Sequence, residues 1–205
     1  MKPTKILAAI AALLTSVACN GNNKQETKAT QNNNMKQGKT LIVFFSHAGE
    51  NYAVGNIKVG NTKIVADYIK GKTGADQFEI VAEKSYDMPY SDLTALAKKE
   101  TESGELPPFK GEISNIDQYD TVFIGGPIWW GTYPQVMFTF MKKYDLNGKT
   151  IIPFVTHEGS GLASTVTDIK KHYPKANVTG AFSIYGHKVR TGKDKVEKWL
   201  TGLGY

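Results

Sequence analysis

Residues 41–62 read LIVFFSHAGENYAVGNIKVGNT. The stretch opens on Leu41, Ile42, Val43, Phe44 and Phe45, an apolar run with no helical period. So short an unbroken run suits a strand buried on both faces of a parallel sheet. It gives way to Ser46-His47-Ala48-Gly49, and order resumes at Gly60-Asn61-Thr62, ahead of a helical spacing that sets Ile64, Val65, Tyr68 and Ile69 on one side. A strand, a small polar loop and a helix N-terminus together make an anion site. Unpaired backbone N–H groups and the positive end of the helix dipole converge there, and short hydroxyl side chains fit around a phosphate. The same residues equally suit an ordinary strand-to-helix turn capped by Asn61 or Thr62. Residues 50–59 interrupt the loop. Gly55-Asn56 favours a tight primed turn, which predicts a small hairpin of Tyr52-Ala53-Val54 against Ile57-Lys58-Val59, a flap inserted into the loop; an irregular excursion fits the same residues equally.

Outward from this stretch, strand-like and helix-like segments alternate. Strands are predicted at residues 40–45, 77–83, 121–125, 151–156 and 178–185, and helices at 62–71, 91–103, 134–144, 160–173 and 191–203. Five βα units imply an α/β fold, a single doubly wound domain whose right-handed crossovers place helices on both faces of a five-stranded parallel sheet. In such a sheet ligands bind outside the carboxyl ends of the strands. Three loops should meet there: residues 46–62, residues 125–134 (GGPIWWGTYP) and residues 156–161 (THEGSG).

Adjacent tryptophans cannot both face inward in a regular element, so one of Trp129 and Trp130 should anchor its loop while the other offers an aromatic face; the alternative is that both fill gaps beneath the loop. Gly159 and Gly161 would let backbone N–H groups approach a planar ligand. A phosphate cradle, an aromatic wall and a glycine edge describe a site for a flat ring with a phosphorylated tail. Other chemistries fit less well. Gly159-Ser160-Gly161 lacks the outer glycines of a nucleophile elbow, since Glu158 and Leu162 stand there. Neither a Walker pattern nor G-x-G-x-x-G follows the first strand. His47, His157, His172 and His187 have no metal-ligand spacing. His172 and His187 read as surface histidines, whereas His47 and His157 lie in site loops. Glu158 alone cannot run two-carboxylate hydrolysis.

The motifs FFSHAG…GNTKIVADYI, TGADQFEI, YDTVFIGGPIWWGTYP and DLNGKTIIPFVTHEGSGLAS carry a resemblance to the flavodoxin-like family over residues 40–205. The resemblance implies strand order 2-1-3-4-5 and non-covalent FMN. It assigns Ser46, His47, Ala48, Asn61 and Thr62 to the phosphate loop. Pro127, Ile128, Trp129, Trp130 and Gly131 correspond to the first flavin-side loop, and Thr156, His157, Glu158, Gly159 and Gly161 to the second. With no extra segment splitting the last strand, the chain looks like the short-chain form. It departs from the family in the 50–59 insert and in lacking, in the third loop, the tyrosine that commonly stacks on the flavin. The implied activity is electron transfer to a redox partner protein or a small-molecule electron acceptor. The alternatives are a flavin-dependent NAD(P)H:quinone-type oxidoreductase, and a binding lipoprotein that keeps the fold without redox chemistry.

At the N-terminus, Lys2 and Lys5 precede an apolar run over residues 6–14, and Ser16-Val17-Ala18 supplies the small residues of a cleavage site. Residues 1–18 therefore read as a secretory signal peptide. Cys19, the only cysteine, follows at once. Residues 15–19 resemble the lipidated-cysteine signal of bacterial lipoproteins, with Ser16 where leucine is usual. This implies export across the inner membrane and a lipid anchor on Cys19 in the cell envelope; the alternative is plain secretion with cleavage at the same bond and a free thiol. Residues 19–38 are rich in Asn, Gln, Lys and Thr and read as a disordered tether, with a reach of about 25 Å. On the family resemblance, residues 39–205 are expected to form a flavodoxin-like FMN-binding domain. The formal charge of +6 is concentrated in the leader and tether, and residues 39–205 carry only +2. So small an excess argues against a nucleic-acid surface. It also argues against docking steered by the negative field typical of the family's carriers.

Overall fold

The computed structural model describes residues 38–205, so the predicted signal peptide, Cys19 and nearly all of the predicted tether lie outside the described residues. Strand β1 (Lys39–Phe45) is the centre of the sheet. Its residues Leu41 to Phe45 are at most 4% exposed, which is why the sequence there shows no polar alternation. Leu41, Val43 and Phe45 face one core with helices α2 (Tyr90–Ser103), α3 (Gln135–Lys143) and α4 (Thr165–His172). Ile42 and Phe44 face the other, with α1 (Asn61–Thr73) and α5 (Lys193–Gly202). Each fully buried side chain of this run contributes roughly 1.5–3 kcal/mol of hydrophobic stabilisation.

β1 pairs in parallel with β4 (Asp76–Ala82) on one side and β6 (Tyr119–Pro127) on the other. β6 pairs with β7 (Thr150–His157), and β7 pairs in parallel with both β8 (Asn177–Val178) and β9 (Phe182–Tyr185). A short β5 (Phe109–Lys110) runs antiparallel along the outer edge of β4. The sheet therefore has seven strands and is mixed, where the sequence predicted five in parallel. Two physical causes account for the difference. First, a two-residue strand after Pro107-Pro108 carries no periodic signal, and its pairing with β4 is non-local. Second, the predicted final strand 178–185 breaks at Gly180, which takes φ +62. A Cβ at Gly180 would lie 2.7 Å from Leu203 Cδ2. The Gly180 carbonyl accepts a 2.7 Å hydrogen bond from Trp199 Nε1, so the break is the seat of the C-terminal helix.

The inserted hairpin is real but differently folded. β2 (Gly49–Asn51) pairs with β3 (Gly55–Ile57), which puts the apex at Tyr52-Ala53-Val54 instead of Gly55-Asn56. Ala53 takes the left-handed conformation, φ +56, and Gly55 follows at φ +81. Contacts outside the hairpin override the local turn preference. The Tyr90 amide at the start of α2 donates to Glu50 Oε2 at 2.8 Å, and the Tyr52 and Tyr90 rings stack at 6.4 Å. The predicted helix 160–173 starts only at Thr165, because Gly161 and Ala163 have positive φ (59° and 46°) and hold a turn before it. Ahead of α5, a 3-10 turn spans Gly186–Thr191.

Candidate functional site

β1, β6 and β7 end side by side, and their loops are stitched together by hydrogen bonds. Thr62 and Thr156 share a 2.8 Å hydroxyl–hydroxyl bond beneath the surface, joining the first loop to the third. The Ile128 amide donates to the Thr156 carbonyl at 3.0 Å, joining the second to the third. One residue, Thr156, thus ties all three. Around this junction lies a cavity of about 300 Å³, at the small end of the range for small-molecule sites.

Of the residues assigned to the site from the sequence, Asn61, Pro127, Ile128, Trp129, Trp130, Thr156, His157 and Glu158 line the cavity. Ser46, His47 and Ala48 instead line a neighbouring groove of about 540 Å³ that faces β4 and the Lys84–Asp87 stretch. Thr62 is buried below the cavity, 1% exposed. Gly131, Gly159 and Gly161 shape turns, at φ +84°, +131° and +59°.

The two halves of the divided first loop close on each other at Gly60, the residue before α1. A Cβ there would sit 2.2 Å from Ser46 Oγ and 2.6 Å from the His47 carbonyl oxygen. Ser46 Oγ accepts the Lys63 amide at 2.9 Å, capping α1 from seventeen residues away. The Ile64 amide reaches the Gly60 carbonyl at 3.4 Å. Among the described residues this leaves the Asn61 and Thr62 amides as the free first-turn donors, and α1 has no acidic residue in that turn.

His47 is 8% exposed, and its Nε2 has no hydrogen-bond partner among the described residues. Its ring meets Trp129 edge-on at 5.8 Å. Burial pushes its pKa down, against a backbone hydrogen bond at Glu50 and the Asp87 carboxylate, which act the other way. A neutral imidazole with one unsatisfied nitrogen at this depth costs free energy unless a ligand or water completes it. Burial likewise lowers the His157 pKa, with Lys195 adding to the effect and Glu158 opposing it.

The tryptophans divide their work. Trp129 turns inward, meeting Phe45 and Tyr86 edge-on at 5.4 and 5.3 Å. Trp130 turns outward, 53% exposed, with its indole N–H donating to the Thr94 carbonyl at 2.9 Å and Lys98 Nζ 5.4 Å over its ring. Residues 129–132 form a turn closed by Trp129 N–H to Thr132 O and Thr132 N–H to Trp129 O. Trp130 (φ +49) and Gly131 (φ +84) are its central residues. Positive φ at both marks a type I′ turn, and for a bulky tryptophan that conformation is strained by roughly 1–3 kcal/mol. The Gly131 carbonyl accepts from both the Ser164 amide and its hydroxyl, which fastens the turn to the approach to α4.

Sequence reasoning missed part of the wall. Glu50, Asn51, Tyr52 and Val54 of the hairpin line the cavity, as do Tyr90, Leu93, Thr94 and Ala97 of α2. It also missed the contribution of the 3-10 turn. Glu158 accepts from the His187 amide (2.8 Å) and meets His187 Nδ1 (2.6 Å), so His187, though exposed, holds the third loop. Gly186 packs where a Cβ would lie 2.6 Å from Asn61 Nδ2 and 2.8 Å from Glu158 Oε1. Tyr185, 40% exposed, ends β9 with its ring 4.6 Å from His157. No sequence pattern announces contacts between a final turn and two earlier loops.

A parallel-dominated α/β sheet with three loops gathered at its carboxyl edge narrows the family, and direct comparison decides it: a flavodoxin family model matches residues 39–203. The chain belongs to the flavodoxin family. Among solved structures, it is similar to a protein from Bacteroides eggerthii DSM 20697 provisionally described as a flavoprotein, with 28% identity, 82% of this chain and 99% of that one covered, and TM-score 0.64. A provisionally described flavoprotein from Bacteroides uniformis ATCC 8492 gives 27% identity, 81% and 99% coverage and TM-score 0.66. A flavoprotein from Lactobacillus acidophilus NCFM, solved in complex with FMN, shares the fold at 21% identity, with 80% and 99% coverage and TM-score 0.58. No curated protein matches the chain. Among the described residues there is no group of His, Cys, Asp and Glu that could hold a metal, and no helix long and apolar enough to cross a membrane.

The features of this flavodoxin-family site fit a phosphorylated flavin. It has free first-turn amides on α1 and an aromatic wall, with the orphaned His47 ring nitrogen in the adjoining groove.

Proposed function

We propose that this chain binds FMN non-covalently and transfers electrons through it, as an exported protein held to the cell envelope by a lipid on Cys19. The observation that carries the flavin reading is the convergence of three distant loops on one cavity, tied through Thr156 to both Thr62 and Ile128. Bound FMN would supply the redox chemistry, taking up and releasing electrons through its ring. The chain's own residues do the rest. The Asn61 and Thr62 amides and the positive end of α1 would hold the phosphate. Trp130, with its indole N–H already held by Thr94, offers an aromatic face to the ring without freezing a free side chain. His157, Glu158 and the loop beyond them would line the polar edge. The hairpin and α2 exclude water from the outer side. Export and anchoring rest on the leader-like residues 1–18 and on the position of Cys19.

A second reading, an oxidoreductase acting on a planar quinone-like acceptor, is favoured by one observation. Tyr52, Tyr90 and Trp130, all exposed, lie together on the cavity wall. Such aromatic surfaces would accept a flat substrate, while residues 39–205 are too nearly neutral to steer a charged protein partner over distance.

The test is an absorbance spectrum of the full chain after FMN loading and removal of free flavin, followed by reductive titration. A retained flavin spectrum supports the proposal; a colourless protein would sink it. Reduction in two one-electron stages fits the carrier. Direct two-electron reduction with NAD(P)H consumption in the presence of a quinone fits the oxidoreductase. Radiolabelled palmitate in the mature protein, lost in Cys19→Ser, tests the anchor.

A further inference from the structure

The chain has 25 cationic side chains, of which Arg190 is the only arginine. It sits in the 3-10 turn Gly186–Thr191 and reaches back across the sheet edge to the first loop. Nη1 donates to Asn61 Oδ1 at 3.2 Å and Nη2 to the Val59 carbonyl at 3.3 Å. Those two acceptors flank Gly60, so the guanidinium stands at the start of α1. Its base is rigid, since Val189 is fully buried and a Cβ on Gly192 would meet Ile184 Cδ1 at 2.5 Å and the Lys188 carbonyl at 2.9 Å.

The electrostatics of this placement are unbalanced. Both partners of Arg190 are neutral, and among the described residues it forms no salt bridge, as is also true of most of the lysines. The N-terminus of α1 is itself a positive pole, and its first turn carries no acid. The Glu158 carboxylate faces Asn61 across Gly186 but is taken up by His187, and it makes no salt bridge with Arg190. Both hydrogen bonds are long for N–H···O, and a guanidinium has five donors in a planar fork, so most of its bonding capacity is unused. Arginine is the side chain whose geometry matches a phosphate bidentately, which a lysine at the same place cannot do.

We propose that Arg190 is a phosphate ligand: its guanidinium pairs with the terminal phosphate of the bound flavin beside the Asn61 and Thr62 amides, and makes the site prefer the phosphorylated flavin over riboflavin. This rests on the flavin reading above. The charge-assisted pair acts only on the phosphorylated ligand, and the ring contacts made by Trp130 and the 156–161 loop are common to both flavins.

The experiment is a pair of fluorescence-quenching titrations, FMN and riboflavin, on the full chain and on Arg190→Gln and Arg190→Lys. The expected result is FMN affinity lower by about ten- to hundredfold in Arg190→Gln, the scale of hydrogen bonds to charged groups. Riboflavin affinity should stay within about twofold, which also reports that the variant is folded, and Arg190→Lys should recover part of the loss. Equal losses for both flavins would overturn the proposal and leave Arg190 as a clamp on Asn61 and Val59. Unchanged FMN affinity in Arg190→Gln would overturn it as well. If the unmodified chain binds neither flavin, the flavin reading itself fails and takes the proposal with it.

Discussion

Gly60→Ala puts a single methyl group where the two halves of the divided first loop touch. The backbone offers no resistance, since Gly60 has φ −63 and ψ 145, open to any residue. The obstacle is space: the new carbon would lie 2.2 Å from Ser46 Oγ and 2.6 Å from the His47 carbonyl oxygen. Ser46 can rotate away, but its hydroxyl then releases the Lys63 amide, a lost cap of about 1 kcal/mol. The His47 carbonyl is main chain and can yield only if the loop moves, an overpacking cost of about 1–3 kcal/mol. Against this, alanine restricts the unfolded chain and returns about 0.4–1 kcal/mol. The net loss is about 2 kcal/mol, or roughly 4–8 °C in Tm for a domain of this size. Because Gly60 leads straight into the Asn61 and Thr62 amides proposed to hold the phosphate, FMN affinity should fall at least about tenfold. Thermal unfolding by circular dichroism and flavin quenching measure the two effects. A variant with unchanged Tm and unchanged affinity would refute the claim that the halves meet at this residue.

The matching control is Gly71→Ala. Gly71 lies inside α1 with nothing within 4 Å of its would-be Cβ, so the variant should gain about 0.5–1 kcal/mol in urea unfolding with flavin binding unaltered. The tryptophans should separate stability from binding. Trp129→Ala empties a site between Phe45 and Tyr86 and should cost about 3 kcal/mol, whereas Trp130→Ala removes a half-exposed ring and one hydrogen bond and leaves the positive-φ cost in place, so Tm should fall by much less while FMN binding weakens. Equal Tm losses in both would contradict the inward–outward division. Glu100, 3% exposed, accepts the Tyr86 hydroxyl at 3.0 Å, and burial raises its pKa despite that bond. The folded state therefore holds the Glu100 proton more tightly than the unfolded chain, so its contribution is intact below the ordinary carboxyl range and is lost as pH rises through the folded pKa. Glu100→Gln should remove that dependence, with stability that gains on the unmodified protein from pH 4 to pH 7 in urea titrations. A parallel pH profile for the two proteins would rule the linkage out.

What was legible in the sequence is what burial writes into it. The unbroken run Leu41 to Phe45 declared a central parallel strand, and the glycine- and tryptophan-rich ends of β6 and β7 declared loops built for contact. The lining residues from Asn61 to Glu158 followed from placing those loops at one edge. What could not be read depended on partners distant in the chain. The hairpin apex moved because Glu50 and Tyr52 found Tyr90. The last strand broke because Leu203 and Trp199 needed the space and the carbonyl of Gly180. Ser46 left the cavity because capping Lys63 satisfied it. The turn at 186–190 gave no local sign of touching Glu158 or Asn61, although a lone arginine among so many lysines was a compositional hint.

β5 has a consequence for the molecule in crowded surroundings. The outer margin of β4 would otherwise offer open main-chain groups and the half-exposed Val81 to a strand from another molecule. Phe109 and Lys110 occupy that margin beside Ala82 and Val81. Farther along, Asp76 and Glu79 guard the remainder with charge, so edge-to-edge polymerisation is discouraged even where copies stand shoulder to shoulder.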